Sequence, residues 1–140
     1  MNMPKKIYIA SDHAGFDMKT KLCNDFKTFV DLGTNSNESV DYPDLAHKLT
    51  TKISQNENSF GILICGTGVG MSIAANRKKG IRAALVTSSE VARLVRQHND
   101  ANVLVLPGRF MEDQNAKKCV KIFLETEFEA GRHKKRIEKI

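Results

Sequence analysis

Cys65 is the residue whose surroundings first suggest chemistry. It closes an apolar run at 60–64 and is followed by Gly66-Thr67-Gly68-Val69-Gly70, then by the small-residue stretch at 71–75. This reads as a buried strand, a glycine turn and the start of a helix. Three glycines in five positions permit a tight turn and leave the amide N–H groups uncovered. Those donors and the positive end of the helix then face an anion. In parallel α/β sheets ligands collect beyond the carboxyl ends of strands, which puts Cys65 at the site. A helix N-terminus and basic neighbours favour the thiolate, the form that acts as nucleophile or base. An arbitrary cysteine at a strand end is more often a small buried hydrophobe, and the adjoining glycine turn reverses that judgement here.

Nucleotide readings of the turn fit poorly. Gly70 is followed by Met71-Ser72, with no lysine for a phosphate-binding Walker loop. The order Gly66-x-Gly68-x-Gly70 also breaks the dinucleotide fingerprint, and no acidic residue stands near Val86. A second strand-turn-helix unit offers more. The run at 6–10 ends at Ser11-Asp12-His13-Ala14-Gly15, after which Phe16, Leu22, Cys23, Phe26 and Phe29 keep roughly helical spacing. Asp12 either caps that helix or joins the site. His13 has no equally plain structural role, and an imidazole there binds phosphate or shuttles protons. Tyr42, before Pro43 at a helix entrance, is placed to line the same site.

The elements that hold these residues follow from the remaining pattern. Residues 30–33 suggest a second strand, 34–41 a polar loop, and Leu45, Ala46, Leu49 and Ile53 a helix, with His47 on its surface or in packing. Residues 81–86 read as the fourth strand. Ser88-Ser89-Glu90 opens a helix with Val91, Leu94 and Val95 inward, running out at 96–100. Residues 103–106 are the fifth strand, 112–128 a long amphipathic helix, and 132–139 a further helical turn or two. Strands and helices alternating in this way predict a three-layer αβα sandwich, Rossmann-like, with five parallel strands in the order 2-1-3-4-5. Asp12-His13 and Cys65-Gly66-Thr67 then flank one crevice, and residues 1–140 form a single domain.

Composition sets bounds on function. The 140 residues are 41% hydrophobic, enough for one core. No apolar run approaches the roughly 20 residues of a membrane span, and the start, MNMPKKIYIASD, lacks a signal-peptide core, so a soluble, cytoplasmic protein is expected. Cys23, Cys65 and Cys119 are far apart and odd in number, which indicates neither a disulfide framework nor a metal site. The net charge of +6 is concentrated at 131–136, by default a solvated tail. With no Trp and two Tyr, the chain lacks an aromatic stacking set for nucleic acid.

Together these segments resemble the type B ribose-5-phosphate isomerase family, which also contains galactose-6-phosphate and allose-6-phosphate isomerases. The resemblance spans nearly the whole chain: SDHAGF at 11–16, DYPD at 41–44, ILICGTGVGMSIAANR at 62–77, GIRAAL at 80–85, RQHNDANVL at 96–104, GR at 108–109 and GRHKKR at 131–136. It implies an aldose-ketose isomerase of the pentose phosphate pathway that needs neither metal nor cofactor. A proton would move between C1 and C2 of open-chain ribose 5-phosphate and ribulose 5-phosphate through an enediolate. One branch of the family uses a cysteine base and another a glutamate in the following helix. Val69-Gly70-Met71 offers no carboxylate, so Cys65 is the expected base. Charge on O1 and O2 calls for preorganised donors, supplied by the amides of Gly66, Gly68, Val69 and Gly70 and by the Thr67 hydroxyl. His98 would open the sugar ring with Asp12 exchanging protons, and Asn99 would hold hydroxyls. The resemblance assigns the phosphate to His13, Arg109, Arg132 and Arg136, the last two on one helix face, so the basic end is part of a site. It also implies a homodimer, or a pair of such dimers, with the His98 and C-terminal regions serving the neighbouring subunit.

Two alternatives stand beside this. The hexose-6-phosphate isomerases share the motifs, although in the galactose enzyme two related subunits divide the functional residues that this chain carries together. A non-catalytic nucleotide- or nucleic-acid-binding domain lacks its motifs here.

Overall fold

The central strands of this chain are apolar on both faces, the pattern of a sheet covered by helices on each side. The computed structural model describes residues 6–140. Residues 1–5, the head of the stretch expected to lead without a signal-peptide core into the first strand, lie outside the described residues. The elements run β1 (Lys6–Ser11), a 3-10 turn (His13–Gly15), α1 (Phe16–Asp25), β2 (Val30–Asp31), α2 (Tyr42–Gln55), β3 (Ser59–Cys65), α3 (Val69–Ala75), β4 (Ala83–Leu85), α4 (Ser89–Asn99), β5 (Val103–Pro107), α5 (Asp113–Glu125) and α6 (Arg132–Ile137).

All strand pairings are parallel, and the three-layer α/β architecture is the expected one. The order is β2-β1-β3-β5-β4, which corrects the expected 2-1-3-4-5. The reason lies in burial. Val103 to Pro107 are all buried and pair on both sides, whereas Ala83, Ala84 and Leu85 are half-buried and suit an edge. The swap also decides which face α4 covers. Right-handed crossovers put α2 and α3, which advance across the sheet, on one face. α4 must step back from β4 to β5, so it joins α1 on the other.

The two cores agree with this reading. Ile7, Ile9, Ile62, Ile64, Leu104 and Leu106 meet Met18 and Leu22 of α1, Ala92 of α4 and Ala116, Val120 and Phe123 of α5. Tyr8, Ala10, Leu63, Cys65, Val103 and Val105 meet Ala46, Leu49 and Ile53 of α2 and Met71 and Ala75 of α3. Val91, expected to face inward, is 40% exposed; Ala92 takes the core position instead.

One buried charge ties β2 to α1. The Lys19 ammonium, 1% exposed, donates to both oxygens of Asp31 at 2.8 and 2.7 Å, and Asp31 Oδ1 also accepts from Gly33 N–H. The chain beyond is thereby held against β1, where Thr34 N–H donates to Ser11 O. Among the described residues no helix is long and apolar enough to cross a membrane.

Candidate functional site

The crevice forms at the carboxyl ends of β1 and β3, where the strand order turns. Asp12 leaves β1 with extended backbone and donates its N–H to Ile64 O, which moors it to β3. Its Oδ1 accepts from the N–H groups of Ala14 and Gly15 at 3.0 and 3.2 Å, so Asp12 is a cap after all. Both bonds go to the same oxygen, which leaves Oδ2 to act beside the cap. His13 is half-buried, and its Nδ1 accepts from Val40 N–H at 3.2 Å. An accepting Nδ1 carries no proton, so the neutral ring holds its proton on Nε2, a donor for an anion.

Across the crevice Cys65 ends β3 with its side chain 5% exposed. Its carbonyl accepts from Gly108 N–H and that of Gly66 from Arg109 N–H, which binds the glycine turn to the segment after β5. The Arg109 side chain lies over Gly66; a β-carbon placed there would be 3.4 Å from both Cδ and Nη1. Thr67 Oγ1 accepts from Val69 N–H at 3.2 Å, so its own proton remains free to donate. Gly68 has φ +80°, in the left-handed region, and a side chain there would strike Leu85. At Gly70 a β-carbon would meet the Tyr42 ring at 2.5 Å. The phenol is therefore in contact with the turn, as its place at the start of α2 suggested. Asp12, His13, Tyr42, Cys65, Gly66, Thr67, Gly68, Val69, Gly70 and Arg109 thus form one group.

His98, Asn99, Arg132 and Arg136 form another, at the opposite end of the sheet. α4 runs back against the strands, so His98 lies just before the start of β5, while Cys65 is in register with Pro107 at its end. The length of β5 alone separates these ends by about 13 Å. The Asn99 carbonyl accepts from Arg82 Nε, again at this lower end. α6 comes to the same place. Glu129 N–H donates to Gln97 O at 3.1 Å, and the His133 and His98 rings stack with centroids 4.3 Å apart and planes 18° apart. Arg132 and Arg136 flank His133 from exposed positions on α6.

This lower group contains two residues that sequence reasoning passed over. Glu129 Oε1 lies 3.7 Å from His98 Nε2 and 3.8 Å from His133 Nε2. His133 is buried, and burial pushes its pKa below the ordinary value, with His98, Arg132 and Arg136 adding to the effect and Glu129 opposing it. The available signal was slight: a histidine inside a basic run is usually solvated.

The ribose/galactose isomerase family model matches residues 7–140. A probable ribose-5-phosphate isomerase B of Mycoplasma pneumoniae is 48% identical over 145 residues, covering 100% of this chain and 95% of the relative. Among solved structures, a ribose 5-phosphate isomerase of Thermotoga maritima superposes with a TM-score of 0.94 at 55% identity, covering 96% of this chain and 95% of the other. The Mycoplasma genitalium ribose-5-phosphate isomerase B, crystallised with bound ribulose-5-phosphate, gives 0.94 at 47% identity, covering 99% and 95%.

Proposed function

The chain belongs to the ribose/galactose isomerase family, and from that premise we propose that it is an isomerase interconverting D-ribose 5-phosphate and D-ribulose 5-phosphate, a reaction of the pentose phosphate pathway. The observation that carries this reading is the match, over almost the whole of both chains, to an enzyme holding ribulose-5-phosphate.

The chain's own residues are suited to each step. Cys65, as thiolate, takes the proton from C2 of the open-chain aldose and returns it to C1. The electron pair passes to the carbonyl oxygen O1, and the O2 hydroxyl proton moves to O1 before the carbon proton is returned. The enediolate between these steps is held by the N–H groups of Gly66, Gly68, Val69 and Gly70 and by the Thr67 hydroxyl. Ring opening falls to His98 with Asp12, and Asn99 and Tyr42 hold substrate hydroxyls. His13 Nε2–H, Arg109, Arg132 and Arg136 receive the phosphate, arginine forks being suited to its oxygens. No metal and no cofactor enter this scheme.

Such a division of labour requires two copies. Within one chain the Cys65 and His98 groups face away from each other, so we infer a homodimer in which the upper group of one copy meets the lower group of its partner. Val69 and Ile73, one turn apart on α3 beside the glycine turn, are 48% and 54% exposed and supply an apolar seam for that contact. A pair of such dimers is the larger assembly that this reading allows. Free thiols at Cys23, Cys65 and Cys119 suit the reducing cytoplasm, where we place the protein.

The deciding assay offers ribose 5-phosphate, allose 6-phosphate and galactose 6-phosphate side by side, with a chelator and with or without a thiol-alkylating reagent. Preferred turnover of ribose 5-phosphate that survives chelation and dies on alkylation supports the proposal. A preference for either hexose phosphate moves the chain to another branch, and turnover indifferent to alkylation removes Cys65 as the base.

A further inference from the structure

We propose that His133 and Glu129 are positioning residues for His98, His133 as a fixed aromatic platform and Glu129 as the carboxylate that faces the ring nitrogen. The inference rests on His98 acting in ring opening, as argued above. His98 is 38% exposed near the end of a surface helix, and an imidazole there would ordinarily sample several rotamers. One direct contact and two anchors behind it restrict that freedom. The His133 ring lies 4.3 Å from the His98 ring and almost parallel to it. His133 is itself anchored, with its side chain 11% exposed and its N–H donating to Ala130 O at 3.0 Å. Glu129 is fastened by its N–H to the carbonyl of Gln97, the residue before His98.

The carboxylate oxygen is shared between the two rings at 3.7 and 3.8 Å, a gap that one bridging water or a small rotation closes. Proton transfer suits this arrangement better than metal chelation. The three ligand atoms lie within 4.8 Å of one another, but the in-plane lone pairs of rings only 18° apart do not point to a common centre, which makes this a poor geometry for an ion. The groups that bear on the pair are Glu129 from the α5–α6 connection and Arg132 and Arg136 from α6. Burial disfavours a charge on the His133 ring, and His98 and the two arginines together work in the same direction against an imidazolium there.

The test compares His133→Ala, His133→Phe, Glu129→Gln and His98→Gln in the intact enzyme, with two readouts. One is steady-state turnover of ribose 5-phosphate, which arrives as a ring. The other is solvent deuterium uptake at C1 of ribulose 5-phosphate, whose O5 carries the phosphate and cannot close a furanose, so this exchange reports proton transfer alone. His133→Ala should lower kcat on ribose 5-phosphate about tenfold or more while deuterium uptake stays near wild type. Its KM should stay within about twofold, because α6 still presents its arginines. His133→Phe, which keeps the flat face, should recover most of the loss, and Glu129→Gln should show a loss of the same kind.

Several results overturn the proposal: a risen KM with kcat intact, which would mean α6 had shifted; deuterium uptake lost in step with turnover; or His133→Phe as poor as His133→Ala. If His133→Ala does not fold, the other two variants decide. His98→Gln separates the levels of the argument. Wild-type turnover in that variant removes the assignment of His98 itself, whereas an impaired His98→Gln beside normal Glu129→Gln and His133→Phe, with His133→Ala also normal where it folds, removes only the positioning roles.

Discussion

At Cys65 one residue serves two structural demands. Its main chain ends a central strand and accepts from Gly108 N–H, while its side chain closes the apolar layer beneath α2 and α3. Replacement by alanine keeps the main-chain bond and the β-carbon in the layer and removes only the sulfur. Cys65→Ala should therefore fold normally and bind ribulose 5-phosphate with near-native affinity in calorimetry, while turnover falls by about 10²–10⁴ or more, the usual contribution of a general base. Retained turnover, or lost binding, would contradict the role. This residue and its glycine turn were legible in the sequence because the turn leaves a dense local mark: three glycines directly after an apolar run. Asp12 was legible only as a choice between cap and site, and the structure gives it the cap without consuming Oδ2. His133 was not legible, since its burial comes from the His98 ring, thirty-five positions away in sequence.

Among the elements, the turn into α3 is tightly constrained. Gly68 combines φ +80° with the Leu85 side chain where a β-carbon would go. Gly68→Ala should destabilise the protein by about 1–3 kcal/mol in urea unfolding, and an unchanged midpoint would mean the turn had relaxed at no cost. α6 gives a prediction in pH. The pKa of His133 is depressed from about 6.5, so on acidification the unfolded chain takes up its proton before the folded chain does. Stability from this group is complete above about 6.5 and is lost as the pH falls toward the depressed value. His133→Phe should consequently lose less Tm than wild type between about pH 7 and pH 5; an equal or steeper loss would refute the assignment. The strand and helix types were readable from apolar spacing, yet the order of β4 and β5 was not. Both are short apolar runs, and what separates them is pairing on two edges against one, a property of the assembled sheet.

For the whole molecule, the placement of candidate residues at the two ends of one sheet is the governing fact. It was partly legible, because a helix between parallel strands must run back and carry its last residues away from the strand ends where Cys65 lies. Mixing supplies the check. Cys65→Ala and His98→Gln should each be inactive alone, whereas subunits exchanged between them should recover about a quarter of wild-type activity, since half the dimers are hybrids with one intact site of two. No recovery after proven exchange would place each site within a single chain.

In the proposed dimer the same separation makes the sugar phosphate a molecular cross-link. A ligand gripped by the glycine turn of one copy and by Arg136 of the other strengthens their association by the factor with which association strengthens its own binding. Enzyme diluted without substrate should come apart into silent halves. When substrate returns, the progress curve should start slowly and accelerate as copies find each other, with a lag that shortens as protein concentration rises.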